Sequence, residues 1–355
     1  MKILISSDGM HAHFYVRSGW AKAFSYAGHE VVLWDIHAHT AFDIFDEFEP
    51  DVFIGQTYNV TNSVFKCILE RPNLKVIMKA PDWGDIQQEI DPNKYNVLFV
   101  SEEEKRTIER LKKETGKPDF VYVHYLDEDV KRTHNRWADI GVQATGLLNA
   151  ADIFEYVNGT ESDFLKSDVS FVGGCWPYKA ISFNKYMTQL FYPTGKYNVK
   201  IFGNQPWSII SGIQYMGFIP DKMVKDVMKS ATVCPNISEP HAQDFGIDVN
   251  ERTFKTLSNK SFPISDNVTA MRKIFADDEV VFSESPSQFK ETVDHFIAHP
   301  EDRQSYIEKG YKNVMKNHTY FNRCAKIFRL LGMKKHESNC MLALEKMRSV
   351  IETHE

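Results

Sequence analysis

The chain has 355 residues, of which 43% are apolar and 13% aromatic, which is enough for a packed core and favours about two domains. A charged fraction of 25% and a net charge of −6 describe an ordinary surface with no overall attraction to nucleic acid or anionic membranes. Local basic groups can still contact phosphate, so the total charge does not exclude a nucleic-acid substrate.

The sequence contains no segment with the pattern of a secretory leader or a membrane span. The chain turns polar at Ser6 after the run Ile3–Ile5, whereas a signal peptide needs about 7–15 apolar residues and a membrane helix ~20. The five cysteines are scattered without a CxxC pair, which is typical of reduced thiols. We therefore expect a cytoplasmic protein without membrane insertion.

The first half alternates short apolar runs with helical patterns. The predicted strands are Lys2–Ser6, Val31–Trp34, Val52–Ile54, Val76–Met78, Val97–Val100 and Phe120–Val123. The predicted helices are Phe14–Ala27, Val60–Glu70 and one that starts at Ser101, where a good cap precedes acidic residues. Strands that alternate with helices predict a parallel sheet covered on both faces.

The pattern restarts after a loop near Val157–Lys166. The predicted strands are then Asp168–Val172, Val199–Gly203, Thr232–Ile237, Phe262–Ser265 and Val280–Ser283, with helices at Ala180–Phe191, Asp221–Lys229 and over much of Pro286–Glu352. Two α/β units of similar size place ligands at the C-terminal ends of their strands. We expect one domain over residues 1–160, a second over 165–325, and helices over 326–355 that return toward the first.

Two places in the second half are candidates for phosphate binding. Gly173 and Gly174 follow a predicted strand, where glycines let backbone N–H groups approach a phosphate, although such a pair equally forms a tight turn. Arg252 lies in the first turn of a helix predicted to start near Asn250 after a loop at Pro240–Gly246, beside backbone donors that suit a diphosphate. The competing interpretation of Arg252 is an ordinary solvated side chain.

The second half also resembles a known family through motifs that come in a fixed order. The motifs are DVSFVGG from Asp168, VKIFGN from Val199, GFIPDKMVKDVMKSATVCPNIS from Gly217, NERTFKTLSNKSFPISD from Asn250 and DDEVVFSESPSQFKETVDHFIAHPEDRQSYIEKGYKNVMKNHTYFNRC from Asp277. Residues 168–328 are thereby similar to the C-terminal domain of CgeB-like glycosyltransferases in the group-1 GT-B class. The resemblance implies an α/β protein of GT-B fold, with two Rossmann-like domains whose parallel sheets face a central cleft.

The resemblance implies that the second domain binds a nucleotide diphosphate sugar, most simply a UDP-sugar, without an obligatory metal. Arg252 falls on the arginine expected to hold the diphosphate, and Phe254 falls on the packing aromatic of the family pattern. Lys255 replaces a glutamate that would accept hydrogen bonds from the ribose, which an ammonium cannot do. The ribose contact is therefore open, and Lys255 instead adds positive charge in this interpretation. Lys179 and His241 are further candidates for donor binding.

A second likeness is to phage DNA-base glucosyltransferases, which share the order of the GG, FGN and IP…KMV segments and the Arg-x-aromatic helix start. In that group a catalytic aspartate follows the fourth strand of the first domain, and Asp82 occupies that place here. A carboxylate at the end of a strand can deprotonate an acceptor hydroxyl. The equal alternative is a turn aspartate after Pro81.

Histidines and basic groups offer further candidates. His11 and His13, after the first strand, are candidates for the base or for acceptor binding, with surface histidines as the alternative. His37 and His39 form a second pair, but spacing alone does not join the two pairs into a metal site. Two basic groups either follow a nucleic-acid backbone or form ordinary surface: Lys131, Arg132, His134 and Arg136, and Lys326, Arg329, Lys334, Lys335 and His336.

The sequence therefore predicts a hexosyl- or pentosyltransferase that moves a sugar from a nucleotide diphosphate sugar to a hydroxyl acceptor, with Asp82 as general base and inversion at the anomeric carbon. The acceptor is a glycan, a small molecule or modified DNA. One alternative is a DNA-modifying enzyme that acts on hydroxymethylated bases and must extract its target base from the stack. Another is a non-catalytic nucleotide-sugar-binding protein in which Lys255 marks a degraded site.

Overall fold

In the computed structural model the chain forms two α/β units, each built on one six-stranded sheet. The first unit comprises Met1–Leu148 and Tyr320–Glu352, and the second contains Asn149–Thr319. The structure describes residues 1–8, 11–82, 84, 86, 101–175, 177–191, 195–204 and 214–353, without the side chains of residues 11–13 and 177. The units thus divide after Leu148 and after Thr319, whereas the sequence predicts boundaries near residues 160 and 325.

The sheet of the first unit is parallel throughout its paired strands. The strands are β1 (Lys2–Ser7), β2 (Glu30–Asp35), β3 (Val52–Gln56), β4 (Lys75–Lys79), β5 (Phe120–Val123) and β6 (Ala144–Gly146), in the order β2–β1–β3–β4–β5–β6. β3 and β5 are buried along their whole length, as a parallel sheet covered on both faces requires. The strand predicted at Val97–Val100 lies outside the described residues.

Helices of the first unit are begun by residues suited to that role. The helices before the second unit are α1 (His11–Tyr26), α2 (Ala41–Phe48), α3 (Asn62–Leu69), α4 (Glu102–Thr115) and α5 (Asp127–Thr133). Thr40, Thr61 and Ser101 cap α2, α3 and α4 by accepting a hydrogen bond from a backbone N–H in the first turn. The predicted helix that starts at Ser101 is therefore confirmed.

The second unit repeats the parallel arrangement. Its strands are β7 (Ser167–Val172), β8 (Val199–Phe202), β9 (Gln214–Tyr215), β10 (Ala231–Asn236), β11 (Pro263–Asp266) and β12 (Val281–Ser283), in the order β12–β11–β10–β7–β8–β9. Its helices are α6 (Pro177–Met187), α7 (Asp221–Ser230), α8 (Pro240–Phe245), α9 (Glu251–Ser258), α10 (Thr269–Ile274), α11 (Pro286–Ala298) and α12 (Arg303–Asn317). Phe171, Phe183 and Phe289 belong to a buried core that joins strands to α6 and α11.

The segment from Pro240 to Gly246 differs from its prediction. The sequence pattern predicts a loop there, and this prediction is wrong because the segment forms the short helix α8. Pro240 occupies the first turn, where its missing N–H is not needed, and Gly246 ends the helix with a left-handed φ of 66°. The helix is too short for hydrophobic periodicity to reveal it.

Two C-terminal helices, α13 (Tyr320–Leu330) and α14 (Lys334–Thr353), belong to the first unit. α13 packs closely on α1, since a Cβ at Gly19 would overlap the ring of Tyr320. The rings of Phe24 and Phe328 also meet edge to face with centroids 5.4 Å apart. Among the described residues, no helix combines the length and apolar character that crossing a membrane requires.

His29 is buried at this helix contact without a polar partner. Its side chain is 6% exposed, and neither ring nitrogen has a hydrogen bond in the described structure. The ring lies 5.0 Å from Phe328 and 5.1 Å from His336, measured between centroids. Burial lowers the pKa of His29 to about 4, with smaller contributions from the N-terminal charge and His336.

We expect the free energy of unfolding to depend on His29 between pH 6.5 and 4. The folded-state pKa lies below the ordinary value of 6.5, so the unfolded chain binds the proton first. The stabilisation is fully present above pH 6.5 and is lost toward pH 4, by up to about 3 kcal/mol. His29→Phe should remove this part of the pH dependence in denaturant unfolding at pH 7.5 and 4.5. If wild type and His29→Phe lost the same free energy of unfolding between pH 7.5 and pH 4.5, His29 would not be the source of the pH dependence.

Candidate functional site

Arg252 lies in the first turn of α9 and reaches back to the end of β7. Its Nε donates to the carbonyl oxygen of Val172 at 3.2 Å, and its guanidinium carbon lies 4.3 Å from the ring centroid of Phe171. Its Nη1 is buried without a hydrogen-bond partner in the described structure. Burial lowers the pKa of Arg252 to about 10, so the group remains charged at neutral pH. The guanidinium of Arg252 is therefore fixed in place, and its Nη1 is available to donate to a ligand.

Gly173 lies directly against Arg252. A Cβ at this position would meet the ring of Phe171 at 2.9 Å and Nη2 of Arg252 at 3.0 Å, so only a hydrogen fits there. The N–H of Gly173 donates to the carbonyl oxygen of Phe202 at 3.0 Å. This N–H is therefore already used, and Gly174 is the member of the pair that remains a candidate for a phosphate contact.

Lys179 lies in the first turn of α6, within electrostatic range of Arg252. Burial and, to a smaller extent, the charge of Arg252 lower the pKa of Lys179 to about 8. Glu239 and Asp248 act in the opposite direction. Two cations that repel each other in a partly buried place are stabilised by an anion between them. The pair therefore has the electrostatics of a diphosphate site.

His241 is held from both sides of its ring. The Oη of Tyr178 lies 2.7 Å from Nδ1, and Nε2 lies 3.4 Å from the Oδ2 of Asp248. The rings of Tyr178 and His241 are stacked, with an interplanar angle of 3°. The backbone N–H of His241 also donates to the Tyr178 hydroxyl at 3.1 Å. Because His241 is 6% exposed and both nitrogens have partners, it supports the start of α8.

Phe254, one turn of α9 from Glu251, is a core residue. Its side chain is completely buried, and its ring packs against Phe275 and His318 with centroid distances of 5.7 and 5.6 Å. Phe254 therefore has the packing role that the family resemblance implies. Phe254 anchors α9, which carries Arg252.

Lys255 is neutralised on its own helix. Its Nζ lies 3.1 Å from a carboxylate oxygen of Glu251, one turn earlier, and donates to the hydroxyl of Tyr156 at 3.1 Å. The ammonium also lies 4.2 Å from the centroid of the Tyr156 ring. Tyr156 in turn donates to Asp221 at 2.8 Å. The positive charge of Lys255 is therefore largely offset before any ligand arrives.

Asp266 organises the turn between β10 and α8. The carboxylate is fully buried at the end of β11 and accepts four hydrogen bonds. The donors are the N–H and hydroxyl of Ser238, at 3.0 and 2.9 Å, the side-chain amide of Gln243, at 2.7 Å, and the hydroxyl of Ser265, at 3.5 Å. Burial raises the pKa of Asp266, and these hydrogen bonds act against that shift. The turn that leads to His241 therefore depends on one carboxylate.

We expect Asp266→Asn to lower the free energy of unfolding by about 1–3 kcal/mol, because an amide nitrogen would face donors that need an acceptor. Chemical denaturation monitored by circular dichroism measures this. Asp277→Asn is the control, since Asp277 is 83% exposed in its ion pair with Arg272 and should change stability by less than about 0.5 kcal/mol. Equal effects of the two substitutions would show that the Ser238 turn does not depend on Asp266.

Asp82 lies just beyond the C-terminal end of β4. Its Oδ1 accepts a hydrogen bond from Nζ of Lys79 at 2.8 Å. The Lys79 side chain is 2% exposed, whereas that of Asp82 is 42% exposed. A buried ammonium therefore fixes a carboxylate that faces solvent. Sequence reasoning missed Lys79. A lysine at the end of an apolar strand could have indicated a buried charge that needs a partner.

The backbone around Asp82 is also held in place. The hydroxyl of Tyr125 donates to the carbonyl oxygen of Asp82, and Nε2 of His134 lies 2.7 Å from that of Pro81. Gly84 has a φ of 46°, and a Cβ there would overlap the carbonyl oxygen of Thr133. His134 is 2% exposed, so its placement in a basic surface group is wrong. The Asp82 carboxylate is presented on a fixed turn.

The other sequence candidates remain separate from these contacts. α1 begins at His11, but the side chains of His11 and His13 lie outside the described part of the chain, so their roles stay predictions. His37 and His39 are exposed after β2. Within the described ranges, no three His, Cys, Asp or Glu side chains are grouped as metal ligands.

Comparison with known families gives one match. Residues 185–329 match the family model described as glycosyl transferase-like. This range runs from α6 into α13 and includes Arg252, Phe254, Lys255 and Asp266. No curated protein matches the sequence significantly.

Several solved structures share the architecture over nearly the whole chain. Sucrose-phosphate synthase from Thermosynechococcus elongatus is 10% identical, with a TM-score of 0.62 over 94% of this chain and 98% of that one. HepE of Anabaena in complex with UDP-glucose is 9% identical, with a TM-score of 0.61 over 94% and 99%. A variant of T4 phage BGT in complex with UDP-glucose is 14% identical, with a TM-score of 0.59 over 95% and 99%.

At these identities the likeness establishes the fold. The chain consists of two parallel-sheet α/β domains, and its structural neighbours are glycosyltransferases of GT-B fold, so the predicted fold class is confirmed. The family match and the structural neighbours together support glycosyltransferase activity.

Proposed function

We propose that this protein transfers a sugar from a nucleotide diphosphate sugar, most simply a UDP-sugar, to a hydroxyl acceptor. The observation that carries the proposal is the pair of cations formed by Lys179 and Arg252. The two charges repel each other, and Nη1 of Arg252 is buried without a hydrogen-bond partner in the described structure. HepE of Anabaena and T4 phage BGT both hold UDP-glucose in their structures, which supports a nucleotide-sugar donor. Membership of the narrower CgeB-like group is part of the same proposal.

In this reaction the second unit stabilises the negative charge that develops on the leaving diphosphate. When the bond between the anomeric carbon and the diphosphate breaks, the electron pair stays on the diphosphate oxygen. Arg252 and Lys179 stabilise this developing charge, and electrostatic stabilisation of this kind usually lowers the reaction barrier more than any other single effect. Glu251 already neutralises Lys255, so Arg252 and Lys179 carry the role.

Asp82 accepts the proton of the acceptor hydroxyl in this mechanism. The deprotonated oxygen attacks the anomeric carbon opposite the leaving diphosphate, which inverts the configuration. The 42% exposure of Asp82 gives an acceptor access, and the 2.8 Å contact with Lys79 keeps the carboxylate in one orientation. His11 and His13 are the next candidates for the base.

A DNA-modifying glycosyltransferase is the second candidate function. It is favoured by the similarity to T4 phage BGT, a beta-glucosyltransferase described as a DNA modifying enzyme. Such an enzyme would act on hydroxymethylated bases with the same donor chemistry. The non-catalytic alternative rests on Lys255, which stands where the family pattern has a glutamate. The nearby carboxylate of Glu251 is paired with Lys255.

We expect Arg252→Ala to weaken binding of UDP-glucose by about 10- to 100-fold, because a charged hydrogen-bond donor to the diphosphate is lost. Titration calorimetry measures the affinity. Arg272→Ala is the matched control, since Arg272 pairs with the exposed Asp277 and Glu284 and should leave the affinity unchanged. Unaltered affinity in the folded Arg252→Ala protein would exclude Arg252 as a diphosphate ligand.

We expect Asp82→Asn to lower the turnover rate by about 10²–10⁴, because the side chain keeps its size but loses its basicity. Donor affinity should stay within a few-fold of wild type, which separates chemistry from folding. Asp46→Asn is the control, since Asp46 is a 69% exposed partner of Arg71. Turnover of Asp82→Asn close to that of the control would remove Asp82 from the mechanism.

A further inference from the structure

The first unit contains a group of buried hydrogen-bond donors that have no acceptors among the described residues. Arg17, Trp20, Gln56 and Tyr122 form this donor cluster. The unpartnered atoms are Nη1 and Nη2 of Arg17, Nε1 of Trp20, Nε2 of Gln56 and Oη of Tyr122. All of these atoms can donate, and only the Tyr122 hydroxyl can also accept. A set composed of donors is complementary to a ligand rich in oxygen.

Strand register brings the donor cluster next to the Asp82 turn. Gln56 pairs with Lys79, and Lys79 pairs with Tyr122, across β3, β4 and β5. Register partners in neighbouring strands point to the same face of the sheet, so these three side chains lie in one row. Lys79 is also the residue that donates to Asp82. The row therefore connects the donor cluster with the proposed base.

Helix α1 adds a positive charge to this row. The rings of Trp20 and Tyr122 have centroids 5.2 Å apart, so α1 packs on the face that carries the row. The guanidinium carbon of Arg17 lies 5.7 Å from the Trp20 ring and 5.8 Å from the Tyr122 ring. Arg17 follows the spacing of Trp20 and Phe24 along α1, which directs all three residues toward the core.

The terminal nitrogens of Arg17 are buried and have no hydrogen-bond partner among the described residues. The residue as a whole is 1% exposed. Two cation–π contacts return less free energy than the desolvation of a guanidinium costs. The neighbouring Lys79 already has Asp82 as its partner. An anion at this place would satisfy both the charge and the donors.

We propose that the donor cluster binds an anionic group, a phosphate or a carboxylate, that belongs to the acceptor molecule whose hydroxyl is deprotonated at Asp82. The assignment of this anion to the acceptor rests on the proposed function. Burial raises the pKa of Tyr122 to about 12, so its hydroxyl remains protonated and donates at neutral pH. The acceptor is then a small anionic molecule that presents a hydroxyl.

The depth of Arg17 argues for a small acceptor rather than a nucleic-acid backbone. A backbone phosphodiester is flanked by nucleotides on both sides and meets cations at a protein surface. Arg17 is 1% exposed, whereas Tyr58 and the Asp82 side chain, its neighbours at the strand ends, are each 42% exposed. A terminal phosphate or carboxylate can enter such a place, with the hydroxyl of the same molecule remaining at Asp82.

Anion binding to the wild type and to Arg17→Met tests the proposal. Inorganic phosphate and acetate are titrated separately by calorimetry, with saturating UDP to occupy the donor site. One of the two anions should bind wild type, and its affinity should fall at least tenfold in Arg17→Met. Without anion, Arg17→Met should be no less stable than wild type, because an uncompensated buried charge is removed. Arg110→Met, at an exposed ion pair with Glu114, should bind like wild type.

A second variant keeps the test decisive if Arg17→Met does not fold. Tyr122→Phe removes one unpartnered hydroxyl without changing the ring, and it should also weaken the anion. The proposal is overturned if neither anion binds wild type, if Arg17→Met binds as tightly as wild type, or if duplex DNA displaces the anion. Failure of UDP to bind would instead count against the donor assignment, since the Arg17-dependent response is measured independently of sugar transfer.

Discussion

Parallel strand pairing is the constraint on which both candidate sites depend. Each parallel strand is followed by a crossover before the next begins, so all strands of a sheet finish at one edge. In the first unit this places Gln56, Lys79 and Tyr122 side by side, although they are far apart in sequence. In the second unit the same rule brings the ends of β7 and β11 to one edge of the sheet. Polar side chains at these ends therefore meet through strand pairing.

The polar groups at the two edges are satisfied to different degrees. Asp266 accepts four hydrogen bonds, and both nitrogens of His241 have partners, so these residues stabilise the second unit without a ligand. The two terminal nitrogens of Arg17 and Nη1 of Arg252 lack hydrogen-bond partners in the described structure. A buried donor without an acceptor costs about 1–3 kcal/mol, which is a large fraction of the stability of a domain. An anionic ligand at Arg17 or Arg252 would recover this cost.

Much of the fold could be predicted from the sequence, because long apolar runs and helical periodicity reflect burial directly. The central strands and α4 were found in this way, whereas β6, β9 and α8 are too short to show a period. The pairing of Lys255 with Glu251 could have been read from their spacing of four residues. The meeting of Arg17 with Tyr122 could not, because it depends on how α1 lies across the sheet. Sequence motifs therefore point to the proposed donor-binding residues more readily than to the proposed acceptor-binding ones.

The first unit is discontinuous in the chain, and this affects how the protein is made. Gly19 and Phe24 on α1 pack against Tyr320 and Phe328 on α13, which follow the whole second unit. During synthesis from the N-terminus, the second unit is complete once Thr319 has left the ribosome, while the apolar face of α1 is still uncovered. The nascent first half therefore exposes a surface suited to chaperone binding, and the first unit finishes folding after the second.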